Sequence, residues 1–225
     1  MQSFTPAAGN PKYTKYYDRV IALLTREDRW RSAAIAQLAL QPGDTVVDIG
    51  CGTASLAIRI KQDQPGARVI GVDPDPEVLA LARDKVRRAG VEVEFVQGMG
   101  DKTVELVGPG TADKVVSSLV LHQCPVPMKA AIIGNMFTLL RPGGTLVIAD
   151  FGVQRGALMR LGFRMVVQFA DGKQDTQPNA DGILPRLIEQ AGFADAAEVS
   201  VTRTASGSIS VYRATRPVPA EQRNR

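Results

Sequence analysis

Histidine, cysteine and tryptophan are nearly missing from this chain, which has one histidine, two cysteines and one tryptophan among 225 residues; all aromatics together make up 5%. Two cysteines in apolar settings, Cys51 and Cys124, do not build a disulfide framework. With no CxxC and no Cys/His cluster, no metal site is expected. This cysteine usage suits a reducing cytoplasm. No run of about 18 uncharged apolar residues occurs, which argues against a membrane span. The first residues, MQSFTPAAGNPKYTKYYD, have no basic region leading into an apolar core, so export is not expected. The formal charge of +4 is scattered. A basic stripe with interleaved aromatics is missing, which removes the usual reason to expect a nucleic-acid partner. Internal repeats and low-complexity linkers are also lacking.

What is there suits an α/β domain: 44% hydrophobic residues, 22% charged, and enough length to bury a sizeable core. The chain is organised around Val46 to Thr53, VVDIGCGT. A short apolar run ends in an acid and a glycine turn, and helical periodicity follows through Leu56, Ala57, Ile58 and Ile60. Gly50 and Gly52 permit positive φ and let a ligand approach the main chain. A buried strand feeding a turn at a helix N-terminus serves dinucleotides and other adenosine cofactors alike.

Residues 1–40 read as an arm followed by a cap helix from Lys12 to Leu40, and 41–216 as the main domain. A second strand, Arg68 to Val72, ends at Asp73; Asp75 is placed to cap a helix with Pro76 in its first turn, and Gly90 closes it. Strands are expected at 91–96, 112–118 and 145–149, with a helix from about Pro127 to Leu140. Strand and helix thus alternate in a pattern that requires a parallel sheet, helices on both faces and right-handed crossovers. A helix from Gly182 to Ala191 and a hairpin around Ala205-Ser206-Gly207 end the domain, and 217–225 is expected to be a disordered tail. Between the fifth strand and that helix, 151–181 is a lid-like insert.

Asp73 lies 21 residues after Gly52, where a carboxylate can accept both hydroxyls of an adenosine ribose. An acid before a proline can also simply cap a helix. A dinucleotide GxGxxG turn would need glycine at 55, and Ser55 stands there. That weakens a nicotinamide reading.

Five segments in this order, VVDIGCGTASLA, VIGVDPDPEVLALAR, DKVVSSLVLHQ, LLRPGGTLVIADFG and the terminal SISVYRA, resemble the class I S-adenosylmethionine-dependent methyltransferases, in particular the branch of ubiquinone and menaquinone biosynthesis. The resemblance implies a Rossmann-like, doubly wound, seven-stranded sheet with an antiparallel last strand. It implies that Asp48, Gly50, Cys51 and Gly52, with Thr53 beside them, line the methionine half of S-adenosylmethionine. Asp73 would hold the ribose and Pro74 would flank the adenine. Ser117 and Leu119 would offer backbone groups near the amino group of the cofactor. Where relatives carry Gly-Asp-Ala, this chain has Gly98-Met99-Gly100-Asp101, so either Asp101 receives the adenine amino group from a shifted loop or Met99 packs against the base.

Displacement at a sulfonium methyl asks mainly for alignment in a dry cavity. An acceptor that carries a proton needs a base, and His122, the only histidine, follows the fourth strand; it either acts as that base or orders its loop. Tyr17, with Tyr13 and Tyr16, either faces the sulfonium or staples the N-terminal helix. Cys124 is expected to pack. In 151–170 Arg160, Arg164 and Gln168 share one helical stripe, while Leu158, Leu161, Met165 and Phe169 lie among the apolar remainder. That surface suits a lid over a small or lipid-like acceptor, peripheral contact with a membrane, or packing on its own domain or in a homodimer. The alternatives to methyl transfer are a nicotinamide-dependent oxidoreductase and a protein that binds S-adenosylmethionine without turnover.

Overall fold

A computed structural model describes residues 26–219. Tyr13, Tyr16 and Tyr17, the first half of the helix expected from Lys12, and the tail beyond 219 lie outside the described residues. One sheet carries seven strands in the order β3-β2-β1-β4-β5-β7-β6. These are β1 (Thr45–Ile49), β2 (Arg68–Asp73), β3 (Glu94–Gln97), β4 (Ala112–Ser118), β5 (Leu140–Phe151), β6 (Ala194–Thr204) and β7 (Gly207–Thr215). The first five are parallel, and β7 runs antiparallel to both β5 and β6. The expected doubly wound Rossmann-like sheet is therefore present.

The inner strands are near-continuous apolar runs because helices cover both faces. On one face α1 (Glu27–Leu38), α2 (Ser55–Asp63) and α3 (Pro76–Ala89) bury Trp30, Leu38, Leu56, Ile60 and Ala82. On the other, α4 (Thr103–Val107), α5 (Val126–Leu139) and the later α8 (Ile183–Gln190) close over Ile133, Met136, Leu184 and Ile188. The Asp75 side chain caps α3 by accepting from the N–H groups of Glu77 and Val78, at 2.8 and 3.3 Å. Gly90 ends that helix in the left-handed region, as its position in the sequence requires.

Three expectations are corrected. The third strand begins at Glu94, not Val91, because β3 has one neighbour and pairs with it only from Ile70↔Glu94 to Asp73↔Gln97. The preceding residues carry the chain from the end of α3, where the Val91 N–H donates to the Val86 carbonyl, up to the sheet edge. Strand β5 is longer than Thr145–Ala149, because it is paired on both sides, and the Arg141-Pro-Gly-Gly turn is absorbed as an irregularity between Ala112↔Leu140 and Lys114↔Thr145. The insert is not one regular helix over 151–170. After β5 the chain loops, then α6 (Ala157–Phe163) runs through a π-helical stretch, Arg164–Gln168, into Phe169–Asp171. That wider turn breaks the stripe expected from a period of 3.6. This helical run ends at Gly172, and a further helix within the insert, α7 (Lys173–Ala180), which its polar sequence and internal Pro178 conceal, leads to α8.

Strand order reverses between β1 and β4, and ligands of such sheets bind outside the carboxyl ends of the strands at that point. The register sets these ends level: Ile49 lies opposite Val72 and Ser117, and Ser118 opposite Ala149. Gly50, Asp73, Leu119 and Asp150 therefore stand side by side at this edge of the sheet.

Candidate active site

The glycine turn is held from below. The Gly50 and Cys51 N–H groups both donate to the Val72 carbonyl, at 2.8 and 3.1 Å. Gly50 has φ +72°, and a Cβ there would lie 2.3 Å from Val120 Cγ2, so the loop after β4 presses directly on the turn. Gly52, with φ +54°, has no atom within 4 Å of the place a Cβ would occupy, so this part of the turn is open. The Cys51 sulfur points away into the layer beside Gly71 and Phe95, and burial pushes its thiol pKa far up. Cys51 is a packing residue whose main chain belongs to the turn.

Asp73 connects the turn to the next strand. One of its carboxylate oxygens accepts from the Gly52 N–H at 2.9 Å and the other from the Asp75 N–H at 3.0 Å. Each oxygen keeps a second lone pair for another donor. Burial raises the Asp73 pKa against those two bonds. On the next strand, the Gly98 N–H donates to the Asp73 carbonyl, which draws the Gly98-Met99 loop alongside Pro74. Met99 is half-buried, and Asp101, in the turn after it, has one buried carboxylate oxygen with no hydrogen-bond donor among the described residues.

Asp48 is the least satisfied group in the site. It is 1% exposed, and neither of its oxygens has a hydrogen-bond donor among the described residues. Burial raises its pKa from 3.8 to about 7, with Arg31 pulling it down and Asp73 pushing it up. Arg31 arrives from α1, stacked at 4.8 Å over the Trp30 ring, with Nε 2.6 Å from the Glu27 carboxylate. On the other side of the turn, Lys85 from α3 reaches the hydroxyls of Thr53 and Ser55. Because burial favours protonated Asp48, the folded chain holds a proton that the unfolded chain releases near pH 3.8. Stability in the absence of ligand is therefore expected to fall as pH rises toward about 7. Asp48→Asn should be the more stable protein at pH 8, by about 4 kcal/mol. Urea unfolding at pH 5 and 8 measures this, and equal stability of the two proteins at pH 8 would rule out a buried charge.

The other wall is built around Asp150, at the end of β5. One of its oxygens accepts the N–H groups of Val120 and Leu121, at 3.1 and 2.7 Å; the other accepts the Phe151 N–H at 2.7 Å and faces His122 Nδ1 at 2.8 Å. His122 Nε2 lies 3.4 Å from Asp171 at the end of the lid. Burial opposes a charge on His122, but the two carboxylates outweigh it and raise its pKa to about 9. Lys129 is fully buried and donates to the Leu121, His122 and Asp175 carbonyls, binding the same loop to α7. Leu119, which opens this loop, takes φ +55°, and its N–H is given to the Ala149 carbonyl. A non-glycine residue in that region is strained and is held there by its surroundings. The Ser117 hydroxyl donates to the Ile49 carbonyl at 2.8 Å. The Cys124 thiol, partly buried, has its pKa pushed up to about 11 by burial and packs as expected.

The structure thus gathers Asp48, Gly50, Gly52, Thr53, Asp73, Pro74, Gly98, Met99, Ser117 and Leu119 along one edge of the sheet. Arg31, Lys85, Lys129, Asp150 and Asp171 join them without having been singled out in the sequence. Asp150 lies in the apolar run LVIADFG, where nothing local distinguishes it from a helix-capping acid.

A methyltransferase-domain family profile matches residues 46–144. Demethylmenaquinone methyltransferase from Thermus thermophilus is 32% identical over 180 residues, covering 77% of this chain and 80% of that protein. The chain belongs to the class I S-adenosylmethionine-dependent methyltransferases. Among solved structures, an O-methyltransferase family protein from Burkholderia thailandensis superposes with a TM-score of 0.73 at 19% identity, covering 94% of this methyltransferase and 61% of that chain. Phosphoethanolamine N-methyltransferase 2 from Haemonchus contortus gives 0.72 at 16% identity, covering 97% and 61%. The methyltransferase thus spans about three fifths of each of these two chains, which share its fold. The cofactor is S-adenosylmethionine, and the nicotinamide reading is set aside. The chemistry of the residues present suits it: the edge carries an unsatisfied buried carboxylate, an open glycine turn and, in Asp73, a second carboxylate with acceptor capacity left.

Proposed function

We propose that the methyl acceptor is a small apolar molecule of the quinone or phenol type. His122 carries this reading. With Asp150 on one nitrogen and Asp171 on the other, its imidazole has no free lone pair, so it orders the loop and is not the base. Asp73 and Asp150 are likewise engaged by backbone donors. An acceptor handled by such a wall brings its own nucleophile, as the anion of a phenol or a reduced quinone does. The activity for which the Thermus relative is named supports the same class.

When bound, S-adenosylmethionine supplies a methyl group already activated by its sulfonium charge. Asp48 and Arg31 are placed to match the ammonium and carboxylate of its methionine end, beside Gly50, Gly52 and Thr53. Asp73 would take the ribose hydroxyls, and Pro74, Gly98 and Met99 would border the adenine, with the unsatisfied oxygen of Asp101 available to its amino group. The Leu119 N–H is already used, so its contact with a ligand falls to the carbonyl. Tyr17, proposed to close the site, lies outside the described residues.

The test is an acceptor panel containing a reduced quinone, a simple phenol, a primary amine and an aliphatic alcohol, with product mass and S-adenosylhomocysteine as readouts. Turnover is expected with the first two, with a rate that rises with pH through the pKa of the acceptor. His122→Asn should lower that rate without shifting the profile. A profile that keeps the same pKa whichever acceptor is used, and that vanishes in His122→Asn, would restore histidine as the base. Turnover of the amine alone would replace the acceptor class.

A further inference from the structure

The lid has two faces of different character. Phe163 and Val167, at 2% and 4% exposure, point inward; Phe163 lies 5.4 Å from Phe151 and joins the same buried cluster as Trp30 of α1. Outward stand Leu158, Leu161, Met165 and Phe169, at 74%, 56%, 68% and 89% exposure. Four large apolar side chains on one short segment are more than a scatter of exposed residues. At the root of the lid a groove of about 700 Å³ is lined by Arg26, Arg29, Arg155 and Arg203, with the hydroxyl-bearing Ser200 and Thr202 between them. Glu198 pairs with Arg155 at 2.8 Å; among the described residues Arg26, Arg29 and Arg203 form no ion pair.

The two features are contiguous. Arg155 lies two residues before α6, and α6 packs on the turn that follows Arg203: a Cβ on Gly162 would lie 2.3 Å from the Ala205 carbonyl oxygen. From 155 to 170 the insert carries Arg155, Arg160 and Arg164 and no acid. We propose that this face docks on an anionic lipid surface, with Leu158, Leu161, Met165 and Phe169 in the acyl boundary and the arginines on lipid phosphates. Charge decides between occupants. A second copy meeting this face symmetrically would bring arginine against arginine, whereas anionic headgroups complement them. Arginine stems can also lie along the apolar layer while their heads reach phosphate. The proposal does not depend on the acceptor, since neither cofactor nor acceptor enters its test.

The test is flotation of the full-length protein with vesicles of phosphatidylcholine alone or mixed with phosphatidylglycerol, at low and raised salt. At least about tenfold stronger binding to the anionic vesicles is expected, weakening with salt as screening requires. Leu158→Ser with Phe169→Ser should reduce binding to the anionic vesicles by about tenfold. Arg29→Glu with Arg203→Glu should abolish the preference for anionic lipid, and thermal unfolding of both variants checks that they fold. Absence of vesicle binding, equal binding to both vesicles, or unchanged binding by the variants would overturn the proposal. So would a dimer in light scattering that is lost with Phe169→Ser, which would assign the face to a second copy.

Discussion

Asp73→Ala is expected to weaken S-adenosylmethionine binding by at least about 100-fold, the largest effect of any single change at the cofactor edge. A carboxylate that accepts two ligand hydroxyls contributes about 1.5–3 kcal/mol for each charge-assisted bond. The loss of its bonds to the Gly52 and Asp75 N–H groups also loosens the turn on which the cofactor rests. Calorimetric titration with S-adenosylhomocysteine reads the affinity, and thermal unfolding of the ligand-free protein separates it from folding. The unfolding midpoint should move little, because Asp73 is buried at some electrostatic cost to its charged form and its removal relieves part of that cost. Affinity within threefold of wild type would reduce Asp73 to a loop staple. Asp73→Asn should fall between the two, since an amide oxygen can replace one carboxylate oxygen but not both.

The second large effect is on stability. Asp150→Ala removes the acceptor of three backbone N–H groups and the charge partner of His122, all inside a wall where Asp150 is 1% exposed. Leaving those donors and an imidazole without a partner is expected to cost about 4 kcal/mol. For a domain of this size that lowers the unfolding midpoint by about 10 °C. Methyl transfer should fall further than the folded fraction explains, because Val120 and Leu121 then lose the bonds that press their loop against Gly50. Urea unfolding and a rate normalised to folded protein separate the two effects. A loss below about 1 kcal/mol would mean that the loop holds its shape without Asp150.

These two residues differ in how far their places in the fold could be read in advance. The position of Asp73 beside the turn was legible because it is defined by local chemistry: an apolar strand, an acid at its end, and a glycine turn at a fixed distance upstream. The neighbouring Asp75 was legible for the same reason, as an acid directly before a helix-starting proline, and the structure gives it the capping bonds. Asp150 also ends a strand, but its four donors come from a loop 28 to 30 residues earlier and from its own neighbour. His122 shows the consequence most directly. As a lone histidine after a strand it fitted a base or a loop-ordering residue, and the loop-ordering role proposed for it rests on two carboxylates that are distant in sequence.

By itself the sequence determined the alternation of strand and helix, the glycine turn at the head of α2, the cap of α3 and the closing hairpin. Those features follow from side-chain period, from glycine's access to positive φ and from capping chemistry, all of which act within a few residues. Tertiary structure alone decided that Arg31 stands beside Asp48, that Lys129 ties the β4 loop to Asp175 across 46 residues, and that the lid turns its apolar residues outward. The physical reason is that a charge reads in sequence as a solvated surface group. Whether it is buried, and against which partner, depends on packing between elements that are brought together only when the sheet closes.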